Sequence, residues 1–529
     1  MALAPVASDK VSVSPVSLTA GWNVITCADW YKGGHHKLMD PKLHKGAFLY
    51  HYVEARGGPF EHVVSAGASF VAKALADYTL TNEHIADAES LFRMHGVSAS
   101  MLELHFNRKR WELIIEKHGG KLPLLVSALP DGSIVPPSTP LMVVYNTDPE
   151  FYWLPGYIES WVLSNVWYMT TVATKSLQMR NIIADGLVAT GSYEDLADAM
   201  LVDFGVRGVT GGGMGGVVPC PAALGGFAHL MIGTVTDNIP ALHFCKHWGF
   251  VTVPQLTPPS VLATEHSVMT SFGRDEREAF AHILDTAPDT EPVSIVMDTF
   301  DLMRAIELLC AEFGVRIKSR SAPVVIRPDS GVPESIVPRV LEKLYELFGG
   351  TSNAMNFKVL HPSVRVIQGD GISVDGLRKI VDAVVAAGFS LENVLFGSGG
   401  GLLQSATRDT LKFAYKASAA VNSDGDIQLM SKDPVTDPGK KSKEGFLHVT
   451  QTPLEGIVTT CHPTLDAMIM SSNNMLKTYY SKGVLLRFDT LEDMRGVVNL
   501  SMATIKANKK RSRDVSEAAE VAAENVTEI

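Results

Sequence analysis

Residues Pro323–Gly331 read PVVIRPDSG, and they join an apolar run to a group of polar side chains. The run Val324–Ile326 is β-branched, which is typical of a strand buried on both faces. Arg327 and Asp329 follow directly, where the carboxyl end of a parallel strand collects binding groups. Taken alone, the segment also fits an ordinary strand-to-turn junction with a surface ion pair. Its neighbours favour the first interpretation.

Three further segments repeat this design, each an apolar run that ends in an acid or in glycines. They are Ser294–Asp298 (SIVMD), Val364–Gly371 (VRVIQGDG) and Asn393–Gly401 (NVLFGSGGG). Helical patterns lie between them over Phe300–Phe313 and Val374–Ala387, and a helix-like stretch is expected over Leu402–Ala420. The pattern predicts an α/β fold with one shared polar mouth. A parallel α/β barrel (TIM-like) has such a mouth, and an open doubly wound sheet has it at a switch point.

The chain has 529 residues, which is too long for one ordinary core. We therefore expect a second, α+β domain built from N- and C-terminal segments. The expected boundaries are 1–18 for a flexible leader, 19–165 for the N-terminal part of the α+β domain, 166–410 for the catalytic barrel, 411–505 for the C-terminal part of the α+β domain, and 506–529 for a charged flexible tail.

Charge and composition restrict the class of function. Hydrophobic residues make up 46% of the chain and charged residues 19%, as in a soluble globular protein. The net charge of −11 argues against nucleic acid as a partner, because phosphate contacts need a basic face. No apolar run reaches membrane-spanning length and no signal pattern is present, so we expect no membrane partner and a cytoplasmic location. Five scattered cysteines without a CxxC motif fit a reducing compartment.

The polar strand ends suit phosphate and sugar chemistry. A glycine turn before a helix, such as Ser398–Gly401, cradles phosphate with backbone N–H groups. Arg207, Arg327 and Arg408 are candidates for diphosphate, which a guanidinium binds through forked hydrogen bonds. These features indicate a phosphorylated-sugar substrate, and several phosphate-using barrels would satisfy them.

Two carboxylates and one histidine are further candidates. Asp329 and Asp370 can hold ribose hydroxyls, or Mg²⁺ through water. His266 lies near the start of a predicted helix, Val268–Leu284, where an anionic ligand is favoured. A lone histidine is more often structural.

Several motifs together resemble one enzyme family. They are VIRPDSG, RVIQGDG and FGSGGGLLQ-x-x-TRD at the strand ends, DFG-x-RG at Asp203–Gly208, EHS at Glu265–Ser267, NTDPE-x-YWL at Asn146–Leu154 and D-x-YK at Asp29–Lys32. In their order along the chain they resemble the nicotinamide phosphoribosyltransferases, which belong to the type II phosphoribosyltransferases. The resemblance extends from about Asp29 to about Asp489 and implies the barrel of that family.

The resemblance implies a reaction that joins nicotinamide to 5-phosphoribosyl 1-diphosphate (PRPP), giving nicotinamide mononucleotide and diphosphate in NAD salvage. It implies Mg²⁺, ATP as a coupled cosubstrate that phosphorylates a histidine, and a homodimer with active sites at the subunit interface. A nicotinate phosphoribosyltransferase with the same barrel is the alternative. A buried Asp237 would favour nicotinamide, because a carboxylate accepts a hydrogen bond from an amide and repels another carboxylate.

The resemblance also implies roles for single residues. The nicotinamide ring would contact Phe204, Tyr31 (from the other subunit), Asp237 and Asp29. The diphosphate of PRPP would contact Arg56, Arg207, His266 and Arg327. The ribose and its phosphate would contact Asp329, Gly369, Asp370, Gly399, Gly400 and Arg408, and the nucleotide phosphates Lys432 and Lys440. The catalytic set would be His266, as the phosphorylated residue, with Asp298, Asp329 and Arg327. Mg²⁺ would be held mainly through diphosphate and water, near Asp298 and Asp329.

Some features depart from the family or leave a different function open. A Gly/Pro-rich insertion, Gly211–Gly226, follows the ring-stacking residue, and the neighbourhood of Leu256–Leu262 is changed. The GxGxxG match within the insertion is rejected as a dinucleotide fingerprint, because Pro219 and Pro221 follow where a helix should open. A non-enzymatic scaffold on this fold, and an unrelated phosphate-binding barrel such as an aldolase or isomerase, also stay open as functions.

Overall fold

The structure is a computed structural model, and it describes residues 22–211, 219–251, 261–437, 440–452, 456–464 and 473–508. Four stretches discussed above lie wholly or partly outside this description: the expected leader (1–18), the expected tail from residue 509, residues 212–218 of the insertion, and most of 256–262.

The strands of the described residues are numbered in chain order. They are β1 (Ala47–Ala55), β2 (Val63–Val64), β3 (Leu124–Ala128), β4 (Ile134–Val135), β5 (Pro140–Asn146), β6 (Leu201–Asp203), β7 (Val235–Thr236), β8 (Leu262–Ala263), β9 (Val293–Val296), β10 (Val324–Arg327), β11 (Gly350–Ser352), β12 (Lys358–Leu360), β13 (Val364–Gln368), β14 (Val394–Ser398), β15 (Phe413–Asn422), β16 (Ile427–Leu429), β17 (Phe446–Thr452), β18 (Gly456–His462), β19 (Lys477–Ser481) and β20 (Val484–Leu485).

The α-helices are numbered in the same way. They are α1 (His35–Leu38), α2 (Ala68–Asp77), α3 (Asn82–Arg93), α4 (Ala99–His105), α5 (Arg108–His118), α6 (Leu154–Tyr157), α7 (Glu159–Ala189), α8 (Ala197–Met200), α9 (Pro221–Leu230), α10 (Ile239–His247), α11 (His266–Thr270), α12 (Glu276–Thr286), α13 (Leu302–Ser319), α14 (Pro333–Phe348), α15 (Val374–Ala386), α16 (Gly400–Leu403) and α17 (491–508).

The quoted strand, β10, lies inside a seven-stranded parallel sheet with the order β7-β6-β14-β13-β10-β9-β8. Val324 pairs with Val293 of β9 on one side and with Val364 of β13 on the other. The run Val324–Ile326 is buried, as its β-branched composition predicts. The sheet is curled, and its end strands β7 and β8 are not paired with each other within the described residues. The predicted parallel α/β architecture is confirmed in this curled form.

Between one parallel strand and the next, helices return the chain to the end of the sheet at which the strands begin. α13 joins β9 to β10 and ends six residues beyond the predicted Phe313, whereas α15 joins β13 to β14 and lies within one residue of its predicted bounds. Both begin at side-chain caps: Asp301 accepts a hydrogen bond from the Arg304 N–H (3.1 Å), and Ser373 accepts one from the Gly376 N–H (3.1 Å). The polar residues that follow β9, β10, β13 and β14 therefore emerge at one edge of the sheet.

Three local predictions were wrong. The stretch Leu402–Ala420 is not helical beyond Leu403, because β15 pairs with β1 on one side and β16 on the other, and this pairing overrides the helix propensity of its Ala and Lys residues. The helix expected over Val268–Leu284 is interrupted and forms α11 and α12. A helix does open within the insertion, since α9 begins at Pro221, a position that accepts proline because its N–H would be unpaired anyway.

A second seven-stranded sheet is antiparallel, with the order β16-β15-β1-β5-β3-β19-β20. β1, β3 and β5 precede the parallel sheet in the chain, whereas β15, β16, β19 and β20 follow it. Their pairing is extensive: β1 and β15 match from Ala47 with Asn422 to Ala55 with Phe413. N- and C-terminal segments therefore build this α+β part of the fold together, as predicted.

The 31-residue helix α7 contacts both parts of the fold. Thr174 Oγ1 accepts a hydrogen bond from the N–H of Val64 in β2 (3.0 Å), and Thr170 Oγ1 accepts one from the N–H of Ala66 (3.2 Å). Lys175 of the same helix donates from Nζ to the carbonyl oxygen of Leu402 (3.2 Å), just after β14. Neither α7 nor any other helix in the described residues has the length and apolar character of a membrane span.

Candidate active site

Arg327 ends β10 at the polar edge of the parallel sheet. Its Nη2 donates a hydrogen bond to the Thr264 carbonyl oxygen (3.0 Å), and its Nη1 lies 3.9 Å from Asp329 Oδ1. Its Nε is buried and has no hydrogen-bond partner within the described residues. The guanidinium is therefore held in place through Nη2, and Nη1, which has only the longer contact with Asp329, is the donor that suits an anionic group.

His266 lies between two carboxylates at the same edge. Its Nε2 is 3.1 Å from Asp298 Oδ1, and its Nδ1 is 3.7 Å from Asp329 Oδ2. The second oxygen of Asp298 accepts a hydrogen bond from the Asp329 N–H (2.9 Å). The Asp298 side chain is 4% exposed and the imidazole is 46% exposed. The buried Asp298 therefore orients the imidazole, and the opposite side of the ring is accessible to solvent.

The negative charge of Asp298 determines which nitrogen of the neutral His266 ring carries the proton. Burial raises the pKa of the Asp298 carboxyl, but hydrogen bonds from Ser330, the Asp329 N–H and His266 outweigh burial, and the pKa lies below its ordinary value. Asp298 is thus an anion at neutral pH. Only Nε2 is within hydrogen-bond distance of a carboxylate, so in the neutral imidazole Nε2 carries the proton and Nδ1 keeps its lone pair, 3.7 Å from Asp329 Oδ2.

Arg207 approaches this group from the loop after β6. Its Nη1 is 3.7 Å from Oε2 of Glu265, the residue directly before His266. Both side chains are largely exposed, so the pair contributes little stability and leaves Arg207 able to reach a ligand. Glu265 is not among the residues for which the sequence predicts a role.

The ends of β6, β13 and β14 meet around the ring of Phe204. A Cβ on Gly397 of β14 would lie 2.6 Å from Cδ2 of Phe204 and 3.6 Å from Cα of Gly369. A Cβ on Gly208 would lie 2.9 Å from the backbone nitrogen of Gly400. Phe204, Gly369 and Gly400 are therefore neighbours at the sheet edge. Phe204 as a whole residue is 37% exposed, which leaves surface for a flat ligand.

Asp203, at the end of β6, anchors this region from inside. Its carboxylate is fully buried and accepts hydrogen bonds from the Gly205 N–H (2.8 Å), Thr236 Oγ1 (2.9 Å) and Asn238 Nδ2 (3.1 Å). Its carbonyl oxygen accepts a fourth from the Asp237 N–H (2.9 Å). Asp203 thus fixes the backbone on both sides of the candidate base pocket. The only sequence signal for it is its position before Phe204 in the DFG motif.

A family model described as the nicotinate phosphoribosyltransferase (NAPRTase) family matches residues 199–480, which carry all of the strand ends described above. The chain belongs to this family. It is therefore a phosphoribosyltransferase, an enzyme of the pentosyltransferase class. A second model, described as the N-terminal domain of nicotinamide phosphoribosyltransferase, matches residues 23–126.

Two similar proteins carry the name nicotinamide phosphoribosyltransferase. The one from Xanthomonas campestris pv. campestris is 38% identical over 480 residues, which cover 89% of this chain and 97% of that protein. The one from Acinetobacter baylyi is 33% identical over 404 residues, covering 71% and 76%. Among solved structures, nicotinate-nucleotide pyrophosphorylase from Pyrococcus furiosus gives a TM-score of 0.59 over 93% of this chain and 99% of that chain. At 14% identity, that likeness concerns the fold alone.

The position of Asp237 in this phosphoribosyltransferase differs from the expectation of a buried carboxylate. Asp237 follows β7 and is exposed in the single chain. Its backbone is held by Asp203, whereas its side chain faces the surface beside the base pocket. The prediction of burial was wrong for the single chain, because Asp237 follows β7, which is an end strand of the parallel sheet.

Other predicted residues of the phosphoribosyltransferase lie on the antiparallel-sheet side of the molecule. Asp29 and Tyr31 are exposed at the 3₁₀ turn Trp30–Gly34, and Tyr31 is 56% exposed. Lys432 and Lys440 lie on an exposed segment, where Lys440 pairs with Asp437 (2.8 Å). The contacts among the described residues of one chain do not join any of them to His266. Their predicted roles in a shared site remain predictions.

Arg56 and Arg408 border another part of that side. Nε of Arg56 is 3.4 Å from the Lys412 carbonyl oxygen, and Arg408 pairs with Asp409 (3.0 Å). Nearby Lys416 has a pKa that burial lowers and that the charges of Arg56 and Lys432 lower further, against Glu159. The charges of two predicted phosphate ligands, Arg56 and Lys432, therefore act on Lys416, a cation for which the sequence predicts no role.

The carboxylates at the sheet edge fit a metal only in part. No group of three or more His, Cys, Asp or Glu side chains within the described residues is arranged to hold a metal ion. Both oxygens of Asp298 already accept hydrogen bonds, so Asp329 is the freer ligand. This fits the expectation that Mg²⁺ would be bound mainly through diphosphate and water, since Mg²⁺ commonly keeps water and substrate phosphate as ligands.

Proposed function

We propose that this enzyme joins nicotinamide to PRPP and forms nicotinamide mononucleotide and diphosphate in NAD salvage. The observation that carries the proposal is the edge of the parallel sheet, where Arg327, His266 and two carboxylates follow β8–β10 and the Phe204 ring follows β6. The names of the two similar proteins support nicotinamide as the base.

The base would lie on the Phe204 ring. Offset stacking on an aromatic face suits a flat pyridine, and Tyr31 of a second copy would cover the other face. Asp237 would accept a hydrogen bond from the carboxamide, with Asp29 nearby. This arrangement requires a homodimer with its active sites at the subunit interface, which would also bury the exposed Asp237.

PRPP would extend from the glycine turn to the arginines. Gly369, Asp370, Gly399, Gly400 and Arg408 would bind the ribose and its 5′-phosphate. The diphosphate would accept hydrogen bonds from Nη1 of Arg327, together with Arg207 and Arg56, and Asp329 would lie at the ribose. Lys432 and Lys440 would approach the phosphates of the nucleotide.

The chemical step would be displacement at the anomeric carbon. The pyridine nitrogen forms the new bond to the anomeric carbon, while the bond between that carbon and the diphosphate oxygen breaks. The enzyme orients the two reactants and stabilises the negative charge that develops on diphosphate through Arg327 and Arg207. Bound Mg²⁺ would neutralise part of the same charge.

ATP would act through His266. With its proton held on Nε2 by Asp298, His266 has the lone pair of Nδ1 free to take the γ-phosphoryl group, and ADP leaves. Water later releases phosphate from the phosphohistidine. We place the enzyme in the cytoplasm, where a reducing compartment suits cysteines that form no disulfide among the described residues.

A direct assay tests the proposal. Purified protein with PRPP and Mg²⁺ receives either nicotinamide or nicotinate, with and without ATP, and the mononucleotides are measured by chromatography. We expect nicotinamide to be used with a kcat/KM at least about tenfold higher than nicotinate, because Asp237 repels the carboxylate.

Nicotinate phosphoribosyltransferase is the second candidate. The name of the matching family model and the exposure of Asp237 in the single chain favour it. A preference for nicotinate in the same assay would replace the first proposal by the second. An Asp237→Ser variant separates the two further, since it should weaken the use of nicotinamide only if Asp237 contacts the amide.

A further inference from the structure

A buried lysine that the proposed reaction does not use lies behind the glycine turn. Lys175 belongs to α7, and it is 6% exposed. Its Nζ donates hydrogen bonds to the carbonyl oxygens of Leu402 (3.2 Å) and Ser405 (3.1 Å), and a third to that of Gly401. These three acceptors surround the carboxyl end of α16, the short helix that the glycine turn opens.

The ammonium group of Lys175 is not neutralised. No salt bridge joins it to an Asp or Glu among the described residues, and carbonyl oxygens are its only acceptors there. Burial lowers the pKa of Lys175 to about 8, so the group keeps its proton at neutral pH. A buried cation without a counter-ion costs stability, which favours a role other than packing.

α16 needs this support from outside. It has four residues and begins with Gly400 and Gly401, so it cannot be stable through its own hydrogen bonds. α7 supplies a second contact, because the hydroxyl of Tyr168, two helical turns before Lys175, lies 2.9 Å from the carbonyl oxygens of both Leu403 and Pro221 and shares its one proton between them. The carbonyl end of α16 is therefore fixed by two side chains of one long helix.

The opposite end of α16 has unused donors. The N–H groups of Gly399, Gly400 and Gly401 make no hydrogen bond to other described residues. In a helix the free N–H groups and the free carbonyl groups are at opposite ends, so fixing the carbonyl end also fixes the direction of the N–H groups. The positive charge of Lys175 adds to the potential that these groups present to an anion.

We propose that Lys175 is a positioning residue for phosphate: by holding the carbonyl end of Gly400–Leu403, it keeps the N–H groups of Gly399–Gly401 directed at the 5′-phosphate of PRPP. The role rests on the proposed function, which assigns phosphate binding to Gly399 and Gly400. Lys175 itself does not touch the substrate.

The test compares two lysines with the same kind of contact. Lys121 donates from Nζ to the carbonyl oxygens of Ala76 (2.7 Å) and Tyr78 (2.8 Å) at the end of α2, outside the candidate site. Lys175→Met and Lys121→Met each remove one ammonium that binds backbone carbonyls. Steady-state kinetics with PRPP and nicotinamide varied in turn, and thermal unfolding, are measured for both.

We expect Lys175→Met to raise KM for PRPP by about tenfold or more, with KM for nicotinamide within about twofold of the parent value. Lys175→Arg, which keeps the charge and the donors, should recover most of the affinity for PRPP. Lys121→Met should lower the unfolding temperature without changing either KM. Equal rises in both KM values for Lys175→Met, or the same kinetic change in Lys121→Met, would overturn the proposal.

A binding measurement keeps the test independent of turnover and of the stability of one variant. Calorimetric titration of PRPP with Mg²⁺ into the parent and into Lys175→Gln, which retains one polar donor, should show weaker binding by the variant. Equal affinities would refute the role of Lys175. A parent that binds PRPP but forms no mononucleotide with either base would instead refute the proposed function.

Discussion

At the scale of the residue, Asp203 is the group on which the base pocket depends most. One buried carboxylate accepts hydrogen bonds from Gly205, Thr236 and Asn238, and so connects the ends of β6 and β7. Its neighbours in sequence and in space, Phe204 and Asp237, are the residues that would contact the base.

Asp203→Asn replaces one carboxylate oxygen by an amide N–H₂ group. This group faces N–H and O–H donors that have an acceptor in the parent. Each buried donor left without its partner costs about 1–3 kcal/mol, so we expect kcat/KM for nicotinamide to fall about 10- to 100-fold. Asp131→Asn is the matched control, because Asp131 is also fully buried and accepts two backbone N–H groups at α2. Parent kinetics in Asp203→Asn would contradict the anchoring role.

His266→Ala removes the imidazole between Asp298 and Asp329. We expect the variant to incorporate no acid-labile phosphate from γ-labelled ATP and to lose acceleration by ATP. His243→Ala, which changes an exposed histidine of α10, should be labelled like the parent. Labelling of His266→Ala, or none in the parent, would exclude the phosphohistidine.

Sequence reasoning identifies the residues whose chemistry is visible in the motif. It predicts His266, Asp298, Asp329 and Arg327, and the structure brings these four into direct contact. It does not find Asp203, Glu265 or Lys175. Their importance depends on what they touch across the fold, and no local pattern distinguishes a buried acid or lysine from a surface one.

At the scale of the element, the fit of β14 against the loop after β6 shapes the base pocket. The Phe204 ring lies against Gly397, and a side chain at that position would meet it. The strand can approach this closely only because Gly397 has no Cβ.

Gly397→Ala should displace the Phe204 ring, since the new Cβ would lie 2.6 Å from its Cδ2. We expect KM for nicotinamide to rise about tenfold, with a smaller effect on KM for PRPP. Gly496→Ala in α17 is the control, because a Cβ there meets nothing within 4 Å and alanine favours a helix. Unchanged binding of nicotinamide by Gly397→Ala would show that the ring is not part of the pocket.

The stability of the protein should depend on pH through the buried carboxyl of Asp131, which accepts hydrogen bonds at the start of α2. Burial raises the pKa of Asp131 from 3.8 to about 6, and the charge of Asp489 adds to the rise. Because the folded state holds this proton more tightly than the unfolded state, the stabilisation is complete below about pH 4 and is lost as the pH rises through about 6.

We therefore expect the free energy of unfolding of the parent, relative to Asp131→Asn, to fall by about 3 kcal/mol between about pH 4 and pH 7. Urea unfolding at both pH values measures it. A difference that is the same at both would mean that Asp131 does not titrate in this range.

Local patterns predict the elements of the parallel sheet better than those of the antiparallel one. Apolar runs with polar ends identify β9, β10, β13 and β14, because such strands are buried on both faces. The strand β15 was predicted as a helix, since its sequence, FAYKASAAVN, has helix-forming residues. Its conformation is set by β1, which lies far away in the chain.

At the scale of the whole molecule, some of the predicted ligand-binding residues lie on the parallel sheet and the others lie on the antiparallel part. His266, Arg327 and Phe204 belong to the parallel sheet, whereas Tyr31 and Arg56 belong to the antiparallel part. The repeated polar strand ends in the sequence predict the residues on the parallel sheet and the fold of that sheet. In the homodimer proposed above, the two groups would meet across the subunit interface, and one sequence does not contain that geometry.

Mixing two inactive variants tests whether the site is shared. Tyr31→Ala and Phe204→Ala should each be nearly inactive alone. In a twofold-symmetric dimer, a mixed pair has one site with both native rings, so exchange of subunits should restore about a quarter of the parent activity. Two copies of the same variant, treated alike, are the control. No recovery despite subunit exchange would show that the two rings do not meet across the subunit interface.

The pairing of Ala47 with Asn422 has a consequence for the making of the protein. When β1, β3 and β5 leave the ribosome, the strands that flank them, β15 and β19, have not been synthesised. The parallel sheet, whose strands are closer together in sequence, can assemble meanwhile, but β1 keeps an open edge until the last hundred or so residues arrive. Interrupted synthesis would therefore release chains with a bare strand edge, and these would be prone to associate with one another.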